Sequence, residues 1–153
     1  VTAGEVFDRV LLTQRPAGAA AGFTISAAGG RIGLHADPDL LTRALENLVA
    51  NAIRHSGGRR IVMGARIRGD AVILWVVDDG RGLAAGDEAR IFRPFEQGGH
   101  VGKAGGFGLG LSSTSGLVEQ MGGACGAQAG LPRGAAFYIR LKAAARHGVR
   151  CAA

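Results

Sequence analysis

The sequence is poor in cysteine, aromatic residues and lysine, and it contains no long apolar run. Its two cysteines, Cys125 and Cys151, lack both metal-ligand spacing and a partner set. A disulfide framework and a zinc site are therefore not expected, and the two read as a buried thiol and a tail thiol. No apolar stretch reaches the length of a membrane span, and residues 1–10 carry Glu5 and Asp8 where a secretory leader would be basic and then apolar. The expectation is a cytoplasmic domain that makes no membrane contact itself, within a full-length protein free to be anchored elsewhere. Eight aromatic residues offer little stacking platform for single-stranded nucleic acid. The net charge of +6 comes from 18 cations, of which 16 are arginine, and they are dispersed along the chain with Arg59 and Arg60 the one adjacent pair. Clustering is what binds a phosphate backbone, so no nucleic-acid partner is expected.

What remains is enough for one folded domain. The chain has 153 residues, 47% of them hydrophobic and 20% charged, and it can bury a core without covalent or metal staples. The boundaries expected are a domain over residues 1–143 and a linker or disordered tail over 144–153. Residues 3–21 read as a helix that frays past Pro16, and 23–26 as a short strand closed by the AAGGR turn. The segment 32–36 leads into DPDLL, where Asp37 is placed to cap and Pro38 to occupy the first turn of a helix ending near His55. Ser56, Gly57 and Gly58 stop it. Two strand-like runs come next, joined at Gly69 and Asp70 in a hairpin. The second, 71–77, is apolar at every position, which suits a central strand covered on both faces or, alternatively, a one-sided strand. A short helical turn over 87–92, a loop over 98–106, a helix over 109–121 and strands over 124–129 and 135–141 complete the pass. A hairpin mixed with crossover helices predicts a mixed sheet covered by helices on one face.

Four stretches carry chemistry. In NLVANAIRH, residues 47–55, Leu41, Leu45, Leu48 and Ala52 make an apolar stripe, while Arg43, Asn47, Asn51 and Arg54 make a polar one on a different face, with His55 at its edge. Asparagine weakens a helix interior, so two of them four apart ask for a compensating role; the plainer reading is a solvated face. DDGRG, residues 78–82, places a carboxylate at a strand end before alternating glycines. Asp78 can accept a hydrogen bond from a flat ligand while missing Cβ atoms allow close approach, whereas Asp79 reads as turn chemistry. IFRPFEQ, residues 91–97, carries Phe92 and Phe95, which are either core filler or an anchor for one end of the adjoining glycine-rich loop. GGHVGKAGGFGLG, residues 98–110, holds seven glycines where chain-wide usage predicts about 2.3. Such a loop before a helix presents N–H groups to phosphates, with a flexible surface loop as the alternative. It is not a Walker A loop, because Gln97 and Ala104 stand where glycine and Ser or Thr are required, and its glycines miss the GxGxxG spacing.

Taken together, these stretches closely resemble the ATP-binding catalytic domain of bacterial sensor histidine kinases, within the superfamily that also holds gyrase and the heat-shock chaperone ATPases. The resemblance covers nearly the whole chain. ADPDLLTRALENLVANAIRHS resembles the family's asparagine box, DDGRG its first glycine box, IFRPFEQ its phenylalanine box, GGFGLGLSS its second glycine box and GAAFYIRL its closing strand. The implied fold is the Bergerat fold, an α/β two-layer sandwich in which a mixed, mainly antiparallel sheet of about five strands lies under three helices.

The implied ligands are ATP and Mg2+. By resemblance Asn51 is a magnesium ligand, with Asn47 assisting it or a phosphate, Arg54 contacts phosphates and His55 packs near the nucleotide. Asp78 accepts from the adenine amine, and Gly80 and Gly82 let the base enter. Phe92, Phe95 and Lys103 belong to the nucleotide surround, and Gly106, Gly108, Leu109 and Gly110 close over the phosphates. Hydrolysing relatives carry a glutamate at the position of Asn47. Here Glu46 is one residue away, about 100° around the helix, which favours transfer over hydrolysis. None of His35, His55, His100 and His147 has the setting of a phosphoacceptor. The implied partners are a dimerisation and phosphoacceptor domain, in the same chain or another, and a response-regulator receiver domain. A degenerate nucleotide-sensing module and an anti-sigma-factor-type serine kinase are the alternatives.

Overall fold

The computed structural model describes residues 1–84, 86, 87, 92, 108–130 and 133–145, the first three of the 108–130 segment by backbone only. Helix α1, Ala3–Ala20, opens on a capping box in which Thr2 Oγ1 accepts from Glu5 N–H and the Glu5 carboxylate accepts from Thr2 N–H. Its residues Ala3, Val6, Phe7 and Val10 recur at helical spacing and are buried. The expected fraying past Pro16 is not seen, and the helix continues to Ala20. Its last turn is held from outside: Phe23 N–H donates to the Gly18 carbonyl at 2.7 Å, and Gly18 packs against the end of the Ile25 side chain. This local closure outweighs the one hydrogen bond that proline removes.

Strand β1, Thr24–Ala28, is followed by α2, Pro38–His55. Asp37 caps α2 as expected, accepting from the N–H groups of Asp39 and Leu40, and Pro38 sits in the first turn. Leu41, Leu45, Leu48 and Ala52 are buried, as their periodicity required. The hairpin forms with β2, Arg60–Arg68, and β3, Ala71–Asp78, turning at Gly69 and Asp70. Helix α3, Gly108–Gln120, and strands β4, Ala124–Ala129, and β5, Ala135–Lys142, complete the described elements.

The sheet order is β1-β2-β3-β5-β4, with β1 parallel to β2 and the other pairs antiparallel. The three helices bury their apolar faces against one side, in a single core that includes Phe7, Leu45, Leu48, Met63, Leu74, Leu111, Phe137 and Ile139. This is the two-layer α/β sandwich expected. Strand β3 is the central strand of the sheet but is covered on one side only: Val72, Leu74, Val76 and Asp78 are buried, while Ile73, Trp75 and Val77 alternate with them at intermediate exposure. Its all-apolar sequence therefore reflects an outer face that is apolar without being covered by a described helix. Cys125 is half-buried, with its thiol pushed up by burial; Cys151 and the segments 93–107 and 146–153 lie outside the described residues.

Leu48 is fully buried at the centre of this core, so Leu48→Ala is expected to lower unfolding stability by about 2–5 kcal/mol in a denaturant titration. Leu12, 80% exposed on α1, should tolerate Leu12→Ser within about 0.5 kcal/mol.

Candidate functional site

The C-terminus of α2 meets the loop after β3 at close quarters. Ser56 caps α2, and its carbonyl accepts from Arg81 N–H at 2.8 Å. The Arg81 guanidinium reaches the neighbouring carbonyl, donating from Nε and Nη2 to His55 O at 3.2 and 3.0 Å. A Cβ on Gly80 would collide with the Ser56 carbonyl oxygen. Gly80 is thus needed where two backbones touch. Asp79, read from sequence as turn chemistry, instead accepts from Arg59 and Arg60 N–H at 2.8 and 2.9 Å and joins the loop to the start of β2. Those N–H groups, Arg60 first, hold its carboxyl below the usual range.

Across this junction Asn51 and Asp78 line one cavity, together with His55, Leu83 and Phe137. Asn51 is 8% exposed and Asp78 4%. Asp78 Oδ1 accepts from Gly80 N–H at 2.9 Å and from Ala135 N–H at 3.3 Å. The second of these donors comes from β5, brought in by Gly134 at φ +90°, where a Cβ would collide with the Asp78 carbonyl. Asp78 Oδ2 has no hydrogen-bond partner among the described residues, and neither does the Asn51 side-chain amide. Buried polar atoms left unmatched cost about 1–3 kcal/mol each, so a pair of them in one cavity is a place for a water or a ligand group to complete the bonding. Burial pushes the Asp78 carboxyl up, against the opposing pull of the Gly80 and Ala135 N–H groups. His55, half-buried at the rim, is pushed down by burial and then by Arg54 and Arg81.

The remaining expected residues divide clearly. Asn47 is half-buried one turn before Asn51, and Arg54 is exposed; neither lines the cavity. Glu46 is engaged elsewhere, its carboxylate accepting from Thr13 Oγ1 of α1 at 2.6 Å. Gly82, at φ +79°, lines the cavity and faces the Gly134 carbonyl. Phe92 packs edge-on against Phe137 with ring centroids 6.2 Å apart, so it braces the cavity wall. Phe95, Lys103 and Gly106 lie outside the described residues, and Gly108, Leu109 and Gly110 form the first turn of α3. Arg81, Gly134, Ala135 and Phe137 are site residues that sequence reading passed over. Apart from the Arg81 guanidinium, which donates to the His55 carbonyl, their contributions are backbone geometry and long-range packing, for which Gly134 in LPRGAAF was the one available signal.

Fold and site together define a two-layer α/β sandwich with a small cavity, lined by polar and apolar groups, between the end of one helix and the margin of the sheet. Comparison with known proteins agrees. The family model described as histidine kinase-, DNA gyrase B- and HSP90-like ATPase matches residues 36–145. Sensor histidine kinase ZraS of Salmonella typhi is 41% identical over 116 residues, covering 74% of this chain and 24% of that protein. The alginate biosynthesis sensor protein KinB of Pseudomonas aeruginosa is 39% identical over 102 residues, 66% of this chain and 17% of that protein. Among solved structures, full-length ShkA in complex with AMPPNP superposes with a TM-score of 0.79 at 30% identity, over 94% of this chain and 30% of that one. The mycobacterial sensor histidine kinase MprB superposes with a TM-score of 0.75 at 25% identity, over 94% and 97%. The chain belongs to the family of histidine kinase-, DNA gyrase B- and HSP90-like ATPases, and it spans less than a quarter of the length of the curated relatives ZraS and KinB.

The buried charge of Asp78 gives a signed prediction. Its folded carboxyl titrates above the unfolded one, so the ionised form opposes folding at neutral pH and the penalty is relieved as pH falls through the folded value. Asp78→Asn should therefore melt higher than the parent at pH 7 without ligand, and the difference should narrow as pH is lowered toward about 4.

Proposed function

We propose that this chain is the ATP-binding catalytic domain of a sensor histidine kinase, delivering the γ-phosphoryl group of ATP to a histidine on a separate dimerisation and phosphoacceptor domain. Residues 1–143 make up that domain in this reading. The observation that carries it is the pairing, in one cavity, of a buried amide and a buried carboxylate oxygen that lack partners among the described residues.

Asp78 Oδ2 is an acceptor fit for an adenine amino group, held in place because Oδ1 is already fixed by two N–H donors. Asn51 offers a neutral oxygen to a magnesium ion that keeps water and phosphate as its other ligands, with Asn47 as its neighbour one turn away. When bound, magnesium would supply charge neutralisation at the phosphates. The cavity between these groups measures about 20 Å³, room for a water molecule, so entry of a ring requires part of its wall to yield.

Transfer forms an N–P bond to the acceptor imidazole and breaks the bond between the γ-phosphorus and its bridging oxygen; ADP leaves and the imidazole proton passes to solvent. The protein's task is positioning and charge neutralisation. Glu46, turned toward Thr13, is not available to activate water, which supports transfer over hydrolysis. A response-regulator receiver domain would then take the phosphoryl group.

ATP with magnesium at a hundred times its dissociation constant should stabilise the domain by about 2.7 kcal/mol, raising the melting temperature by about 5 to 10 °C. Asn51→Ala should remove the magnesium-dependent part and keep some adenine binding. Incubation with radiolabelled ATP and a separately supplied phosphoacceptor domain should label that domain's histidine. ATP bound without any transfer would return the nucleotide-sensing reading.

A further inference from the structure

The outer face of the sheet, opposite the helices, is organised in four cross-strand rows. Register places Val62, Val77 and Ala136 in the first, and Gly64, Trp75 and Tyr138 in the second. The third is Arg66, Ile73 and Arg140, and the fourth Arg68, Ala71 and Lys142. Two rows are thus apolar and the next two carry four cations. The dispersal of cations along the sequence conceals this cluster, which exists only once the strands are paired. Among the described residues one carboxylate opposes it, Asp70, 3.9 Å from Arg140 and itself 90% exposed. Arg66, Arg68 and Lys142 have no ion pair among the described residues.

A groove of about 580 Å³ runs over the β2 and β3 side of this face, lined by Val62, Gly64, Arg66, Arg68, Ile73 and Trp75, while Arg140 and Lys142 flank it on β5. Trp75 and Tyr138 lean on each other, their ring centroids 5.2 Å apart and tilted by 56°, and Tyr138 covers Gly126. Gly64 is left uncovered: a Cβ there would meet nothing within 4 Å. The result is a dent of side-chain size in an apolar floor. None of Val62, Ile73, Trp75, Val77 and Tyr138 belongs to the core under the helices.

We propose that this face docks an acidic amphipathic helix of a partner protein, with an apolar side chain seated over Gly64 and carboxylates one to two turns further on, over Arg66, Arg68, Arg140 and Lys142. Three strands are about 10 Å across, the diameter of a helix, and four rows span about 20 Å, the length of roughly 14 helical residues. The charge order along the groove sets the polarity of the occupant. The segment 146–153 contains two arginines and no acidic side chain, so it has the wrong charge to be the occupant. Single-stranded nucleic acid matches the cations less well to the floor, since the aromatic rings are engaged with one another and not splayed for stacking.

Trp75 is the only tryptophan in the chain and reports directly on the groove. Two helical peptides of about 14 residues, identical in their leucines and carrying either glutamates or lysines in the second half, are titrated while Trp75 emission is followed. The glutamate peptide should shift the emission to shorter wavelength and bind at least about tenfold more tightly than the lysine peptide. The double variant Arg66→Glu with Arg68→Glu should reverse that preference. Gly64→Val, whose Cβ meets nothing within 4 Å, should weaken the glutamate peptide by about tenfold or more. The ATP-dependent melting shift in each variant verifies the fold and is a separate readout, so failure here and failure of the nucleotide reading are distinguishable. Equal binding of both peptides, or indifference to the variants, would overturn the proposal. So would tighter binding of oligothymidylate, or a dimer in sedimentation that Gly64→Val dissolves, which would assign the face to nucleic acid or to a second copy.

Discussion

The site depends on one junction, where the last carbonyls of α2 are met by the backbone and guanidinium of the loop after β3. Helix C-termini leave carbonyl groups without intrahelical partners. Here Ser56 O takes the Arg81 N–H and His55 O takes the Arg81 side chain, while Gly80 lets the two backbones come into contact. Asp79 closes the arrangement from the other side through the N–H groups of Arg59 and Arg60. Loosen this contact and Asn51, on the helix, and Asp78, on the strand, no longer share a cavity. The DDGRG loop is therefore a brace as much as a lining: Asp79 and Arg81 position, and of these three side chains Asp78 alone lines the cavity.

The cleft stores unfavourable burial that the remainder of the core must offset. A carboxylate pushed up by desolvation and an unmatched amide both oppose folding of the empty domain. Their retention against a well-packed alternative is a mark of function, because the same atoms become favourable once a complementary donor or cation arrives. The helical layer bears that load: Leu41, Leu45 and Leu48 of α2 are fully buried on the face next to the polar stripe. One helix thus serves the core and the site at a rotation of one residue.

Much of this was legible in the sequence where the information is local. Periodicity placed α2 and its two stripes, Asp37 and Pro38 fixed its start, and Gly69 with Asp70 fixed the hairpin. Asp78 was identified because a carboxylate at a strand end before glycines is a local pattern. What escaped was what depends on pairing at a distance. Ala135 N–H reaches Asp78 from 57 residues away, and Arg81 acts through a carbonyl 26 residues back. The continuation of α1 past Pro16 rests on Gly18 packing against Ile25, and the outer apolar face of β3 has the sequence of a fully covered strand. The cationic rows arise from the register of β2, β3 and β5, which no run of residues displays.

The central claim is that Asp78 and Asn51 serve different parts of one nucleotide, and amide NMR resolves them. Titration with adenosine alone should shift the backbone N–H resonances of Gly80 and Ala135 and leave the Asn51 side-chain amide in place; adding magnesium with ATP should then move the Asn51 pair. Silence at Gly80 and Ala135, or an Asn51 response to adenosine without phosphate or metal, would contradict the account.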